Sequence, residues 1–196
     1  MAKKTVKDVD WAGKTAFMRC DFNVPLADGV ITDDTRIKAA LPTIKYLKEN
    51  GAAVVLMSHL GRPKGQAVPE MSLAPVAARL TEYIGEEVKL VSSDVVIDDN
   101  VKSAAKALNA GEIILIENVR YRDEETKNDP GFAKELSELG DVFVQEDFGT
   151  ANRAHASTTG IADYVPAVSG FLIEKELEFL GKAVDSPDRP LCAVMG

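Results

Sequence analysis

The stretch Ala53-Val54-Val55-Leu56-Met57-Ser58-His59-Leu60-Gly61-Arg62-Pro63-Lys64-Gly65 carries the decisive pattern. It opens with an unbroken apolar run, the mark of a strand buried on both faces of a sheet. A strand is therefore predicted over Ala53–Ser58. On either side of it, similar short runs predict strands over Thr15–Arg19, Val88–Val91, Ile113–Glu117, Val142–Gln145 and Leu191–Met195. Helical periodicities lie between them. Alternation of this kind gives an α/β protein, a three-layer Rossmann-like domain with a mostly parallel sheet.

Ile37, Leu41, Ile44 and Leu47 form one helical stripe, closed by Asn50-Gly51. Pro42 interrupts it, so the regular helix is predicted to start there with proline in its first turn. Ser72 is the predicted cap of the stripe Leu73, Val76, Leu80 and Ile84, which Gly85 ends. Two further stripes run from Val101 to Leu108 and from Phe132 to Leu139. Ile173, Leu177, Leu180 and Val184 then form an amphipathic helix that stops near Ser186-Pro187.

The chain has 196 residues, with 23 Lys and Arg against 31 Asp and Glu, a formal net charge of −8. That balance argues against nucleic acid or an anionic membrane as partner, since either needs a basic face. Cys20 and Cys192 lie in apolar runs and read as inert buried thiols. With two histidines they provide no metal-ligand spacing, so no metal site is expected. Residues Met1–Thr5 lead into polar sequence without an apolar leader segment, and no run approaches the ~18 apolar residues of a membrane helix. A cytoplasmic protein is the expectation.

Ligands of an open parallel sheet bind outside the carboxyl ends of its strands. After the first predicted strand come Asp21-Phe22-Asn23-Val24-Pro25, and after the second His59-Leu60-Gly61-Arg62. Asn118-Val119-Arg120 follows the fourth, and Phe148-Gly149-Thr150-Ala151-Asn152-Arg153-Ala154-His155 the fifth. Arg36 lies between the first strand and its helix. Four arginines and both histidines thus gather on one edge, where planar guanidinium forks suit a phosphate or carboxylate. Gly61 and Gly65 permit a tight loop. Gly13-Lys14-Thr15 imitates the end of a P-loop, but Asp8 stands where its first glycine belongs. No Gly-x-Gly-x-x-Gly follows any predicted strand, which argues against a dinucleotide-dependent oxidoreductase. Asp33-Asp34 and Asp123-Glu124-Glu125 read as solvated loops or helix-start charges.

Together these loops, with Lys64-Gly65 and Ala156-Ser157-Thr158, resemble phosphoglycerate kinase in order and spacing from near Lys3 to Gly196. The resemblance implies the first half of a two-domain kinase. Residues 1–169 would bind 3-phosphoglycerate or 1,3-bisphosphoglycerate, 170–186 would form the interdomain helix, and 187–196 would begin a nucleotide-binding domain that lies beyond Gly196. It further implies that Asp21 and Asn23 hold substrate hydroxyl and carboxyl groups. His59, Arg62, Arg120 and Arg153 would bind the non-transferred phosphate, while Arg36 would act catalytically on the phosphoryl group in flight. Phe22, Leu60 and Gly61 would touch substrate as parts of their loops. Mg-ATP or Mg-ADP serves the full-length family, and no cofactor is expected on this chain. Its partners would be the substrate and the C-terminal domain, the chain being a monomer that does not turn over alone. The alternative is a non-catalytic anion-binding module. Two departures from the family pattern stand out: Gln145-Glu146-Asp147 replaces Asn-Asp-Ala, and Asn152 replaces a histidine. Both are expected to make the basic patch less positive.

Overall fold

The structure, a computed structural model, describes residues 4–192 and 194. The chain runs β1 (Thr15–Arg19), β2 (Leu26–Ala27), β3 (Val30–Ile31), α1 (Thr35–Glu49), β4 (Ala53–Met57), α2 (Ala74–Ile84) and β5 (Val88–Val91). It continues through α3 (Asp99–Lys106), β6 (Ile113–Ile116), α4 (Asp123–Thr126), α5 (Pro130–Ser137), β7 (Val142–Gln145), β8 (Ala167–Ser169) and α6 (Phe171–Asp185). Six strands form one sheet in the order β5-β6-β4-β1-β7-β8, every neighbouring pair parallel.

The sheet is sandwiched between two cores. Ala16, Met18, Val54 and Leu56 face one way, onto Ile37, Ile44 and Leu47 of α1 and Val76 and Leu80 of α2. Phe17, Val55, Met57 and Phe143 face the other, onto Val101 and Ala105 of α3 and Phe132 and Leu136 of α5. Both faces of the central strands are covered, so the apolar runs need no polar alternation.

Several expectations are corrected. Helix α1 begins at Thr35, and Pro42 lies inside it. Proline there forfeits one hydrogen bond, a cost on the order of 3 kcal/mol. Burial of Ile37 and Ala40, upstream of Pro42, holds the first turns helical. Ser72 sits one residue before the N-cap position of α2, and its Oγ accepts from Ala74 N at 3.2 Å. Leu191, Cys192 and Val194 belong to no strand, while Ala193 and Met195 lie outside the described residues. A strand needs a neighbour to exchange hydrogen bonds with, and this run has none among the described residues. Cys192 is accordingly exposed, whereas Cys20 is buried as expected.

The β2–β3 hairpin and the edge strand β8 were not anticipated. Asp28 and Gly29 turn the hairpin with φ of 50° and 76°, the positive pair that an Asp-Gly turn supplies.

The sheet order places a topological switch between β1 and β7. From β1 the chain moves toward β4, and from β7 it moves toward β8. The loops after these two strands therefore part and leave a crevice at their carboxyl ends.

Candidate functional site

A cleft of about 250 Å³ occupies that crevice, lined by Asp21, Asn23, Arg36, His59, Gly61, Arg62, Arg120, Gly149, Thr150 and Arg153. Eight of the ten residues singled out from sequence thus converge. The other two do not line it: Phe22 and Leu60 are buried in the core beneath. Their backbones brace the loops, since Phe22 N donates to Ser58 Oγ at 2.8 Å and Leu60 O accepts from Asn118 Nδ2 at 2.7 Å.

The loops lock onto one another. Gly61 N donates to Asn23 Oδ1 at 2.8 Å, and Arg120 donates to Gly61 O at 3.0 Å. Gly61 and Gly65 sit at φ of 63° and 74°, where a side chain would be strained. Asp21 accepts from Arg36 at 2.7 Å through Oδ2 and from Asn23 N at 3.1 Å through Oδ1. Arg62 and Arg153 are exposed on the rim, Arg120 half-buried behind them. Burial, then the charges of Arg153 and Arg19, pulls the Arg120 guanidinium below its usual range.

Beneath the cleft lies Arg19, fully buried and overlooked in the sequence because it ends an apolar strand. Its Nε donates to Ser157 Oγ at 2.9 Å, one terminal nitrogen approaches His59 Nδ1 at 3.0 Å, and the other meets Asp147 Oδ2 at 3.0 Å and the Cys20 carbonyl. His59 is itself buried. Desolvation, followed by the charges of Arg19, Arg120, Arg153 and His155, pushes its pKa down to about 2, so it is neutral at pH 7. Asp21, His59 and Asp147 bring ligand-type atoms within 4.8 Å of one another, yet Arg19 already engages His59 Nδ1 and Asp147, making this an ion-pair network.

Two sequence expectations about acidic residues change here. Glu125, read as a solvated or helix-start charge, does stand in the first turn of α4 but is fully buried: its two oxygens accept from Ser157 N at 2.9 Å and Ser157 Oγ at 2.6 Å. Glu146 does not spread negative charge over the patch. It is buried, accepts from Thr43 Oγ1 at 2.7 Å and Leu172 N at 3.3 Å, and burial raises its pKa to about 8. Asp147 is neutralised locally by Arg19, and Asn152 is exposed.

His155 lines a second, adjoining cavity of about 440 Å³ that shares Arg62, Arg120 and Arg153 with the cleft and adds Lys64 and Arg122. The sequence signal missed for Arg122 was its adjacency to Arg120, whereas Lys64 was in view only as part of its loop. Gly149 and Thr150 were in view only as part of the loop after β7. The whole edge can therefore take a small, multiply charged anion.

A family model described as phosphoglycerate kinase matches residues 6–196. Phosphoglycerate kinases of Clostridium botulinum (strain Eklund 17B / Type B) and Clostridium perfringens (strain SM101 / Type A) are each 55% identical over 195 residues, covering 99% of this chain and 49% of the relative. The chain spans about half the length of these relatives. Among solved structures, phosphoglycerate kinase from Coxiella burnetii superposes with a TM-score of 0.87 at 39% identity, over 96% of this chain and 47% of that one. The enzyme from Pyrococcus horikoshii OT3 gives 0.85 at 36%, over 95% and 47%.

Proposed function

The chain belongs to the phosphoglycerate kinase family, and from that premise we propose that its cleft binds 3-phosphoglycerate or 1,3-bisphosphoglycerate. The observation that carries the reading is the convergence of Arg36, Arg62, Arg120 and Arg153 on one cleft of a chain with net charge −8. Like charges gathered in this way repel until an anion joins them.

In this reading Arg62, Arg120 and Arg153, with the neutral donor His59, hold the non-transferred phosphate. Asn23 has its carbonyl oxygen committed to Gly61 N, which leaves its amide N–H groups for the substrate carboxyl. Asp21 accepts from the substrate hydroxyl. Arg36 is exposed and, among the described residues, held only by Asp21, so an incoming acyl phosphate competes with that carboxylate for the guanidinium. Arg36 then neutralises charge on the phosphoryl group in flight, the kind of help such transfers need most.

The second substrate of the family, Mg-ATP or Mg-ADP, belongs in this reading to the half of the relatives that the chain does not span. Residues 1–169 form the phosphoglycerate-binding unit, 170–186 the connecting helix, and 187–196 the start of the nucleotide-binding unit. Phe179, Leu180 and Val184 of α6 are at least half exposed, which supports a packing partner for that helix. The chain alone binds without turnover, as a cytoplasmic monomer. Among the described residues no helix is long and apolar enough to cross a membrane.

Titration calorimetry with 3-phosphoglycerate tests the proposal. Binding by the wild type that weakens in both Arg36→Ala and Arg62→Ala is expected, and unchanged binding in both variants removes the assignment. A coupled ATP-formation assay should show only background; a rate like that of a full-length relative contradicts the division of labour.

A further inference from the structure

Asp147 occupies a position where the family pattern carries alanine, and among the described residues it is the one carboxylate in ionic contact with the buried guanidinium beneath the cleft. Asp147 is itself held: Oδ1 accepts from Thr150 N at 2.9 Å and Oδ2 from Thr150 Oγ1 at 2.5 Å. Arg19 has a second anchor on its other side, Ser157 Oγ at 2.9 Å, and Ser157 is gripped through both N and Oγ by the buried Glu125. Two buried carboxylates, one direct and one acting through a hydroxyl, thus fix the guanidinium plane from opposite ends.

The consequence falls on His59. A guanidinium carries only donors. The Arg19 nitrogen 3.0 Å from His59 Nδ1 therefore requires that Nδ1 accept, which leaves the ring proton on Nε2. We propose that Asp147, with Glu125 acting through Ser157, is a positioning residue that holds Arg19 against His59 and so presents His59 to the cleft as a neutral donor through Nε2. A donor of this kind bonds an anion oxygen without adding charge or depending on pH. The groups around His59 agree. Arg19, Arg120, Arg153 and His155 all oppose its protonation, while the nearby carboxylates Asp21 and Asp147 are engaged by Arg36 and Arg19.

The proposal rests on the cleft being the anion site, but its test needs no ligand. In the unliganded chain with ¹⁵N-labelled histidine, long-range ¹H–¹⁵N spectra should show His59 with Nε2 protonated and Nδ1 bare. Those signals should not titrate between pH 5 and 8. In Asp147→Asn, which keeps the side-chain shape and removes the charge, His59 should become a mixture of tautomers, while its burial and the surrounding arginines keep it neutral. Ser157→Ala should shift the signals in the same direction but less. A wild-type His59 protonated on Nδ1, or charged at pH 7, overturns the proposal. Wild-type signals retained in Asp147→Asn overturn it equally. If Asp147→Asn does not fold, Ser157→Ala decides, and an unchanged His59 there counts against the network. Normal tautomer behaviour without 3-phosphoglycerate binding would leave the positioning intact and remove only the substrate assignment.

Discussion

Arg19 lies beneath the cleft and Arg36 at its rim, and the two are held in opposite ways. Arg19 is fully buried, with Ser157, His59, Asp147 and a backbone carbonyl around it. The Arg36 side chain is 51% exposed and pairs with Asp21. A buried charge is tolerable only when paired and hydrogen-bonded, so Arg19 is part of the framework. An exposed pair contributes about 0–1 kcal/mol, so Arg36 can exchange partners cheaply. The contrast shows how one residue type serves two ends: behind the cleft it sets the geometry, and in front it answers the ligand.

The largest effect expected from this comparison is on stability. Asp147→Ala leaves the Arg19 guanidinium buried without its ionic partner and should cost about 3–5 kcal/mol. Urea unfolding followed by circular dichroism measures it, and a loss below about 1 kcal/mol would erase the distinction between wall and rim. Next is Arg62→Ala, which should weaken 3-phosphoglycerate binding by about 1.5–3 kcal/mol, the range for a hydrogen bond to a charged group. The same substitution should move stability by no more than about 0.5 kcal/mol.

The pH dependence of unfolding gives a third effect with a definite sign. His59 has its folded pKa lowered to about 2, so the unfolded chain takes up the proton first. Its contribution is present above the ordinary histidine range and is lost as pH falls below about 6.5. Glu146 behaves oppositely: with a folded pKa of about 8 the native state keeps its proton, and stability falls as pH rises from the ordinary glutamate range toward that value. Glu146→Gln should flatten the alkaline limb and leave the acidic limb alone, as urea midpoints at pH 5, 7 and 9 will show. The smallest effect is on the rim, where Arg36→Ala should change stability by less than about 1 kcal/mol. A larger loss would make Arg36 structural.

Sequence and structure agree most closely where packing dictates pattern. Thr15–Arg19 and Val142–Gln145 are strands over their predicted spans, because a mostly apolar run suits a strand covered on both faces. Val88–Val91, an edge strand, keeps its span on the buried Val88 and Val91 although Lys89 is exposed. The edge strand β8 has three residues, only Val168 of them buried, and leaves no such trace. The β2–β3 hairpin did leave one, the Asp28-Gly29 pair, but its two-residue strands are too short to show alternation. Pro42 misled because local propensity was read without the buried face upstream of it. The cleft was legible wherever its residues follow strands. Arg19 was not, since what makes it polar business in an apolar strand is Ser157, 138 positions away.

An amide NMR titration of the ¹⁵N-labelled chain with 3-phosphoglycerate tests most directly whether the cleft takes a phosphoglycerate. Saturable shifts at Asn23, Gly61, Arg62, Arg120 and Thr150, with the amides of α6 beyond Glu176 unmoved, are the expected result. No shift at those cleft amides under saturating ligand, or shifts confined to α6, would contradict it.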